Sequence, residues 1–191
     1  MLFKKTKKND AFVTADILVK VARGMLPFYR AIAGNRSYAN AWSRAVVGAD
    51  LRLMASLLKL VAPLAARQGY GTNAIGYFIT YTFPLPIASY TNGTTIPPGL
   101  VQFTFSTKIH RRIARAVLPL YRELAFNRNF AAALARAIRR GDRKAVACMV
   151  RGLVCTRSLR SVKIEESGIA LLFKYSGSPY PYRNLLFREL D

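Results

Sequence analysis

The pentapeptide Leu26-Pro27-Phe28-Tyr29-Arg30 returns as Leu118-Pro119-Leu120-Tyr121-Arg122, an offset of 118 − 26 = 92. The same offset carries Asn35-Arg36 onto Asn127-Arg128, Arg44-Ala45 onto Arg136-Ala137, and Asp50 onto Asp142. Aligned without a gap, residues 17–62 and 109–154 are identical at 16 of 46 positions. Most of the rest are like for like: Val21 and Ile113, Tyr38 and Phe130, Val46 and Ile138, Lys59 and Arg151. Register held over that length marks a tandem duplication. Two copies are too few for a solenoid, whose units need stacked neighbours. They suit a pseudo-two-fold body, a homodimer written in one chain.

Within each copy the apolar residues recur at helical spacing. Ile17, Val21, Met25, Phe28 and Ile32 form one stripe, and Ile109, Ile113, Val117, Leu120 and Leu124 form its repeat. Asp10 is the expected cap of the first helix. Pro27 and Pro119 fall inside the stripes, where a proline kinks a helix or restarts it. A break follows at Gly34-Asn35-Arg36, with Ser37 or Asn129 as the expected next cap. A second helix buries Tyr38, Trp42 and Val46, or Phe130, Leu134 and Ile138. Gly48-Ala49-Asp50 and Arg140-Gly141-Asp142 stop it and cap a third.

After the helices the period changes. Ile75, Tyr77, Ile79, Tyr81 and Phe83 alternate with smaller residues as a strand does, and residues 161–165 and 169–175 read as a hairpin. From 69 to 107 there is not one Asp, Glu, Lys or Arg, and Pro84, Pro86, Asn92-Gly93 and Pro97-Pro98-Gly99 punctuate the stretch. The expected fold is α+β and predominantly α: two tandem pseudo-symmetric three-helix-plus-hairpin units with a charge-free, β-prone insertion between them. The expected divisions are a basic flexible arm (1–9), a first helical unit with a β extension (10–83), the uncharged insertion (84–107), a second, Arg-rich unit (108–176) and a tail (177–191) with an aromatic turn and a short helix. Uncharged, aromatic, β-prone surface is a liability when exposed. Tyr77, Phe78, Tyr81, Phe83, Phe103 and Phe105 are therefore candidates for contact with another copy of the chain.

Charge narrows the function. Thirty Lys and Arg oppose nine Asp and Glu, a formal net charge of +21, and such self-repulsion calls for a polyanion. Nucleic acid is the commonest, an anionic membrane the second; a membrane contact is not expected. Arginine outnumbers lysine, which suits geometrically fixed, bidentate phosphate contacts. Candidate phosphate-binding residues are Arg23, Arg30, Arg36 and Arg44 of the first copy with Arg111, Arg112, Arg115, Arg122, Arg128, Arg136, Arg139, Arg140, Arg143, Lys144 and Arg151 of the second. Four of them recur at the offset: Arg23/Arg115, Arg30/Arg122, Arg36/Arg128 and Arg44/Arg136. Pairing with Asp50 or Asp142, or capping of helix C-termini, is the structural alternative for one or two of these pairs. Base reading draws on Asn, Gln and Arg of an exposed helix face. The third helix of copy one is nearly all apolar and the chain holds two glutamines, so backbone coating is the expected mode.

Enzyme chemistry has little to stand on. His110 is the only histidine, the carboxylates are few, and no G-x-S-x-G, Walker, G-x-G-x-x-G or H-E-x-x-H motif occurs. One histidine and two cysteines make no zinc set, and no cofactor or metal is expected. Cys148 and Cys155 read as buried, reduced thiols. No signal peptide and no membrane span is expected, because the apolar run after the basic start is broken by Asp16 and Lys20 and the most apolar window, 45–66, contains Asp50, Arg52 and Lys59.

The expected function is a non-enzymatic, self-assembling nucleoprotein that coats or packages nucleic acid, double-stranded DNA above all, through Arg–phosphate contacts without reading sequence. In its Arg-rich helical character the chain resembles the nucleoproteins and major coat proteins of DNA viruses of hyperthermophilic archaea. That resemblance implies a place in a virion or nucleocapsid, or in an intracellular nucleoprotein. Two alternatives stay open: a tandem winged-helix DNA-binding regulator or replication initiator, since three helices and a hairpin occur twice, and a self-assembling structural protein without nucleic acid.

Overall fold

The computed structural model describes residues 12–189. The basic arm expected over 1–9 and the cap expected at Asp10 lie outside them. The elements run α1 (Ala15–Gly34), α2 (Arg36–Val47), α3 (Leu51–Val61), α4 (Pro63–Ala66), β1 (Gly69–Thr72), β2 (Gly76–Thr82), β3 (Ser89–Thr95), then α5 (Thr107–Phe126), α6 (Arg128–Arg139), α7 (Arg143–Arg151), β4 (Leu159–Glu165), β5 (Gly168–Phe173) and β6 (Tyr182–Glu189). Three main helices and three strands thus occur twice, and α5 and α6 begin and end 92 residues after α1 and α2.

The helix boundaries follow from short polar caps. Thr14 accepts from the Ile17 amide to start α1, and Ser106 does the same for Ile109 in α5. Asn35 is both the end of α1 and the cap of α2: its amide donates to Ala31 O and its side chain accepts from Tyr38 N at 2.9 Å. Asn127 repeats this with Glu123 O and Phe130 N. The second-helix caps are therefore Asn35 and Asn127, not Ser37 and Asn129, because one residue suffices to turn the chain. Asp50 and Asp142 cap α3 and α7 as their positions suggest, after left-handed residues Ala49 and Gly141. Both α1 and α5 run unbroken past Pro27 and Pro119.

The expectation of a predominantly helical scaffold with appended hairpins is corrected. All six strands form one antiparallel sheet, ordered β1-β2-β3-β6-β5-β4. With 49% helix and 22% strand, the chain is a mixed fold with a full sheet layer. The charge-free stretch is no insertion; it contains the three strands of the first repeat. The tail contains β6 rather than a short helix. Registers confirm the equivalence: Tyr77 faces Thr94 as Ile169 faces Leu186, and Ile79 faces Asn92 as Leu171 faces Asn184. The two halves join where β3 meets β6, with Asn92 opposite Leu186 and Thr94 opposite Asn184. The hairpin β4–β5 continues into that shared sheet and is no free wing, so two separate winged-helix units are not formed.

One face of the sheet carries Tyr77, Ile79, Tyr81, Tyr90, Asn92, Asn184, Leu186, Ile169, Leu171 and Phe173, all buried under the helices. Against it lie α1 and α5, packed antiparallel, with Arg23 reaching Ala125 and Arg115 reaching Ala33. Phe28, Trp42 and Tyr77 interlock edge to face at 4.7–5.3 Å between centroids. Gly76 and Gly168 recur because neither position has room for a side chain. A Cβ on Gly76 would lie 2.3 Å from Thr95 Cβ, and one on Gly168 2.1 Å from Leu186 O. Among the described residues no helix is long and apolar enough to cross a membrane.

Candidate nucleic-acid interface

The helix layer turns its apolar stripes to the sheet, so its polar faces form the outer surface. On α5, Ile113, Val117, Leu120 and Leu124 point inward while Lys108, Arg112, Arg115 and Arg122 are exposed. On α1 the exposed cations are Lys20, Arg23 and Arg30; on α2, Arg36 and Arg44; on α6, Arg128, Arg136 and Arg139. Each is where a 100° helical step places it opposite the core.

The structure separates the fifteen candidate cations into two groups. Seven have partners within the chain. Arg23 donates to Ala125 O at 2.9 Å, and its repeat Arg115 donates to Ala33 O at 3.1 Å. Since Ala33 and Ala125 are themselves equivalent, each long helix caps the C-terminal end of the other, where cations are favoured. Arg111 joins that cap through Ile32 O and Ala33 O. Arg139 donates to Val13 O, and Arg151 to Leu159 O and Arg160 O. Arg112 lies over the Tyr175 ring at 4.5 Å, as Lys20 lies over Phe83 at the same distance in the first repeat. Arg128 pairs with Asp16, which holds that carboxyl below its usual range.

The other eight are Arg30, Arg36, Arg44, Arg122, Arg136, Arg140, Arg143 and Lys144. All are exposed, and none has a hydrogen bond or ion pair among the described residues. Only two ion pairs occur there, Arg128–Asp16 and Arg183–Glu165. Asp50 and Asp142, considered as arginine partners, are engaged as helix caps.

Some cations converge. Arg30 and Arg122 face one depression with Leu26 and Pro119, beside the α1–α5 crossing. Arg36, Arg111, Arg112 and Arg115 surround a cavity of about 600 Å³ together with Lys108 and Asn40, which sequence reasoning missed. Next to it Ser37, Asn40, Ser43 and Arg44 line a second cavity of about 810 Å³. The signal for Lys108 lay in the alignment, because it stands where the first repeat has Asp16. Arg136, Arg140, Arg143 and Lys144 do not join this cluster; they lie on α6, the following turn and α7.

The aromatic candidates for self-association divide as well. Tyr77, Tyr81 and Phe105 are in the core of the chain itself, so they do not face another copy in the folded protein. The helices cover the β-prone stretch that looked exposed in sequence. Phe78 and Phe83 are half-buried, and Phe103 is 70% exposed. Phe78 shares the far face of the sheet with Leu185 and Phe187, by the pairing of Phe78 with Gly93, Gly93 with Leu185, and Thr91 with Phe187.

His110 is sealed in the core, its Nε2 3.0 Å from the Tyr77 hydroxyl and its Nδ1 without a partner among the described residues. Burial pushes its pKa down to about 3. Among the described residues no three of His, Cys, Asp and Glu converge on a point. Cys148 and Cys155 are free and exposed rather than buried, because both lie on the outer side of α7 and the turn after it. No family model matches the chain, and no curated protein or solved structure is detectably similar to it.

Proposed function

We propose that this chain is a non-enzymatic nucleoprotein. It binds the backbone of nucleic acid, double-stranded DNA in the first place, through the arginines of its helix layer and associates with copies of itself. The observation that carries the reading is the imbalance of its surface: among the described residues eight candidate cations project from the helix layer without a partner, and only two ion pairs form. A fold does not need such a surface for its own stability, since like charges repel. Phosphates relieve the repulsion and release counterions.

Sequence-independent binding fits the side chains on offer. The exposed helix faces present guanidinium groups far more than the Asn and Gln that read base edges. Contact between copies has support in Phe103 and Leu85, exposed on two loops, and in Phe78 and Phe187 on the sheet face away from the helices.

The test is a titration of the full chain against several unrelated DNA duplexes over a series of salt concentrations. The expected result is similar affinity for all duplexes and a log K versus log salt slope steeper than about −4, corresponding to at least about five neutralised phosphates. A preference of about 10³-fold for one duplex would favour a regulator instead. No binding at low salt would remove the nucleic-acid reading and leave a structural assembly protein.

A further inference from the structure

The duplication builds the same pocket twice, and only one of the two is purely cationic. In the first repeat the pocket holds Lys20, Arg23, Arg128 and Asp16, beside Val19 and Phe83. Its cations are partly neutralised, because the Asp16 carboxylate accepts from Arg128. In the other pocket the equivalent positions are Arg112, Arg115, Arg36 and Lys108, and Arg111 replaces Val19. Five cations surround about 600 Å³, with no carboxylate in the lining among the described residues.

Holding five like charges around one cavity is unfavourable unless an anion sits among them. Two of the five are already oriented: Arg111 and Arg115 are fixed by Ile32 O and Ala33 O, which sets the direction of their remaining N–H groups.

The pocket opens into its neighbour through Asn40 and Thr107, which line both. Here too the repeats differ. Asn40 and Ser43 stand where the second repeat has Ala132 and Ala135. Ser43 is 4% exposed, and its hydroxyl has no partner among the described residues. A buried hydroxyl without a partner is costly, and Ser43 lines this cavity, so turning its side chain towards a ligand would satisfy it. Arg36 and Ser43 are seven residues apart on α2, about 10 Å along its axis. A phosphate held at Arg36 and Lys108 leaves the adjoining sugar and base within reach of Asn40 and Ser43.

We infer that the groove between α2 and the start of α5 seats a backbone phosphate of a nucleic-acid strand, with Asn40 and Ser43 contacting the attached nucleotide. The inference rests on the nucleic-acid reading above and adds a defined seat to it. The same phosphate chemistry is offered by a small free phosphate, and the experiment separates the two sources.

Lys108→Asp places in this pocket the carboxylate that the first repeat carries at Asp16, an arrangement the fold already accommodates. Lys163→Asp makes the same charge change on β4, away from the groove. Asn40→Ala with Ser43→Ala copies the second repeat and changes no charge. Each full-length variant is titrated by fluorescence anisotropy with a mixed-sequence labelled duplex, and its thermal unfolding is recorded. Lys108→Asp is expected to weaken binding about tenfold more than Lys163→Asp, and the alanine pair about threefold to tenfold, without loss of folding.

Equal effects of the two aspartates, with no effect of the alanine pair, overturn the seat while wild-type binding keeps the general reading. Should Lys108→Asp fail to fold, the alanine pair decides alone. If the wild type binds no nucleic acid, the general reading fails, and inorganic pyrophosphate is titrated while backbone amide shifts are followed. Shifts confined to Arg36, Asn40, Ser43 and Lys108 then keep the phosphate seat with a free phosphate as its source; their absence overturns it.

Discussion

The rings of Tyr29 and Tyr121 lie 4.7 Å apart at the centre of the molecule, although 92 residues separate them in the chain. Each belongs to a closed ring of hydrogen bonds with two asparagines from the central strands. Tyr29 donates to Asn92 Oδ1 at 2.8 Å and accepts from Asn184 Nδ2 at 2.8 Å. Tyr121 donates to Asn184 Oδ1 at 3.1 Å and accepts from Asn92 Nδ2. Asn92 and Asn184 are themselves equivalent, so the pseudo-two-fold passes through the ring. Burial raises both phenol pKa values, which keeps each hydroxyl a donor.

Tyr29→Phe or Tyr121→Phe is therefore expected to destabilise by about 1–3 kcal/mol, because each leaves a buried asparagine oxygen without its donor. Denaturant unfolding measures the loss, and the two values should agree within about 0.5 kcal/mol, the usual scatter for equivalent sites. A loss below that scatter would mean that water or another donor replaces the phenol.

Gly24 and Tyr81 form a second dependent pair. A Cβ on Gly24 would lie 2.1 Å from the Tyr81 hydroxyl. At the equivalent places the second repeat has Ala116 and Phe173, a methyl gained and a hydroxyl lost. Gly24→Ala alone should cost about 1–3 kcal/mol through overpacking. Tyr81→Phe alone should be neutral or stabilising, since the hydroxyl is buried without a partner among the described residues. The double variant should recover the helix preference for alanine, about 0.5–1 kcal/mol above Tyr81→Phe. Additive effects in the double-mutant cycle would contradict this account.

His110 sets an acid limit. Its folded pKa of about 3 is below the 6.5 that is ordinary for an imidazole in water and that serves for the unfolded chain. The fold thus favours the neutral imidazole, and this contribution is complete above about pH 6.5. It is lost as pH falls from there towards 3, by up to about 1.4 kcal/mol per pH unit. His110→Leu copies the equivalent, fully buried Leu18 and leaves Tyr77 its contact with Thr94. Unfolding curves from pH 7 to pH 4 should show a shallower decline for the variant than for the wild type. Parallel declines would place the acid sensitivity elsewhere.

The recurring arginines should separate by role. Arg23→Ala with Arg115→Ala removes the reciprocal caps and is expected to cost about 1 kcal/mol of stability per site. Arg30→Ala with Arg122→Ala removes two cations that have no partner among the described residues and should leave the unfolding midpoint in place. The same pair should make the log K versus log salt slope for duplex DNA shallower by about 2. If the first pair leaves stability unchanged, or the second leaves the salt slope unchanged, the division between capping and solvent-facing arginines is wrong.

Much of this was legible in one dimension. The offset of 92, the inward stripes of α1 and α5, and the Asp50 and Asp142 caps all rest on local rules that act within a few residues. The strands of the first repeat were legible only in part. Over 63–99 and 155–191 the copies share only Gly76/Gly168, Tyr90/Tyr182 and Asn92/Asn184. Sheet pairing is made by backbone groups and tolerates such divergence, so the repeat persists in space after it fades in sequence. That is why the charge-free stretch looked like an insertion with an exposed aromatic surface.

A doubled helical chain with an excess of arginine can be read from the order of residues alone, because periodicity and charge are properties of neighbours. Folding settles which arginines cap a helix and which have no partner among the described residues, that Tyr77, Tyr81 and Phe105 are core, and that one of two equivalent pockets collects five cations. Those outcomes depend on which residues from opposite halves of the chain meet, and they meet through backbone pairing of β3 with β6 and packing of α1 on α5. Neither leaves a mark in the order of the residues strong enough to read without the fold.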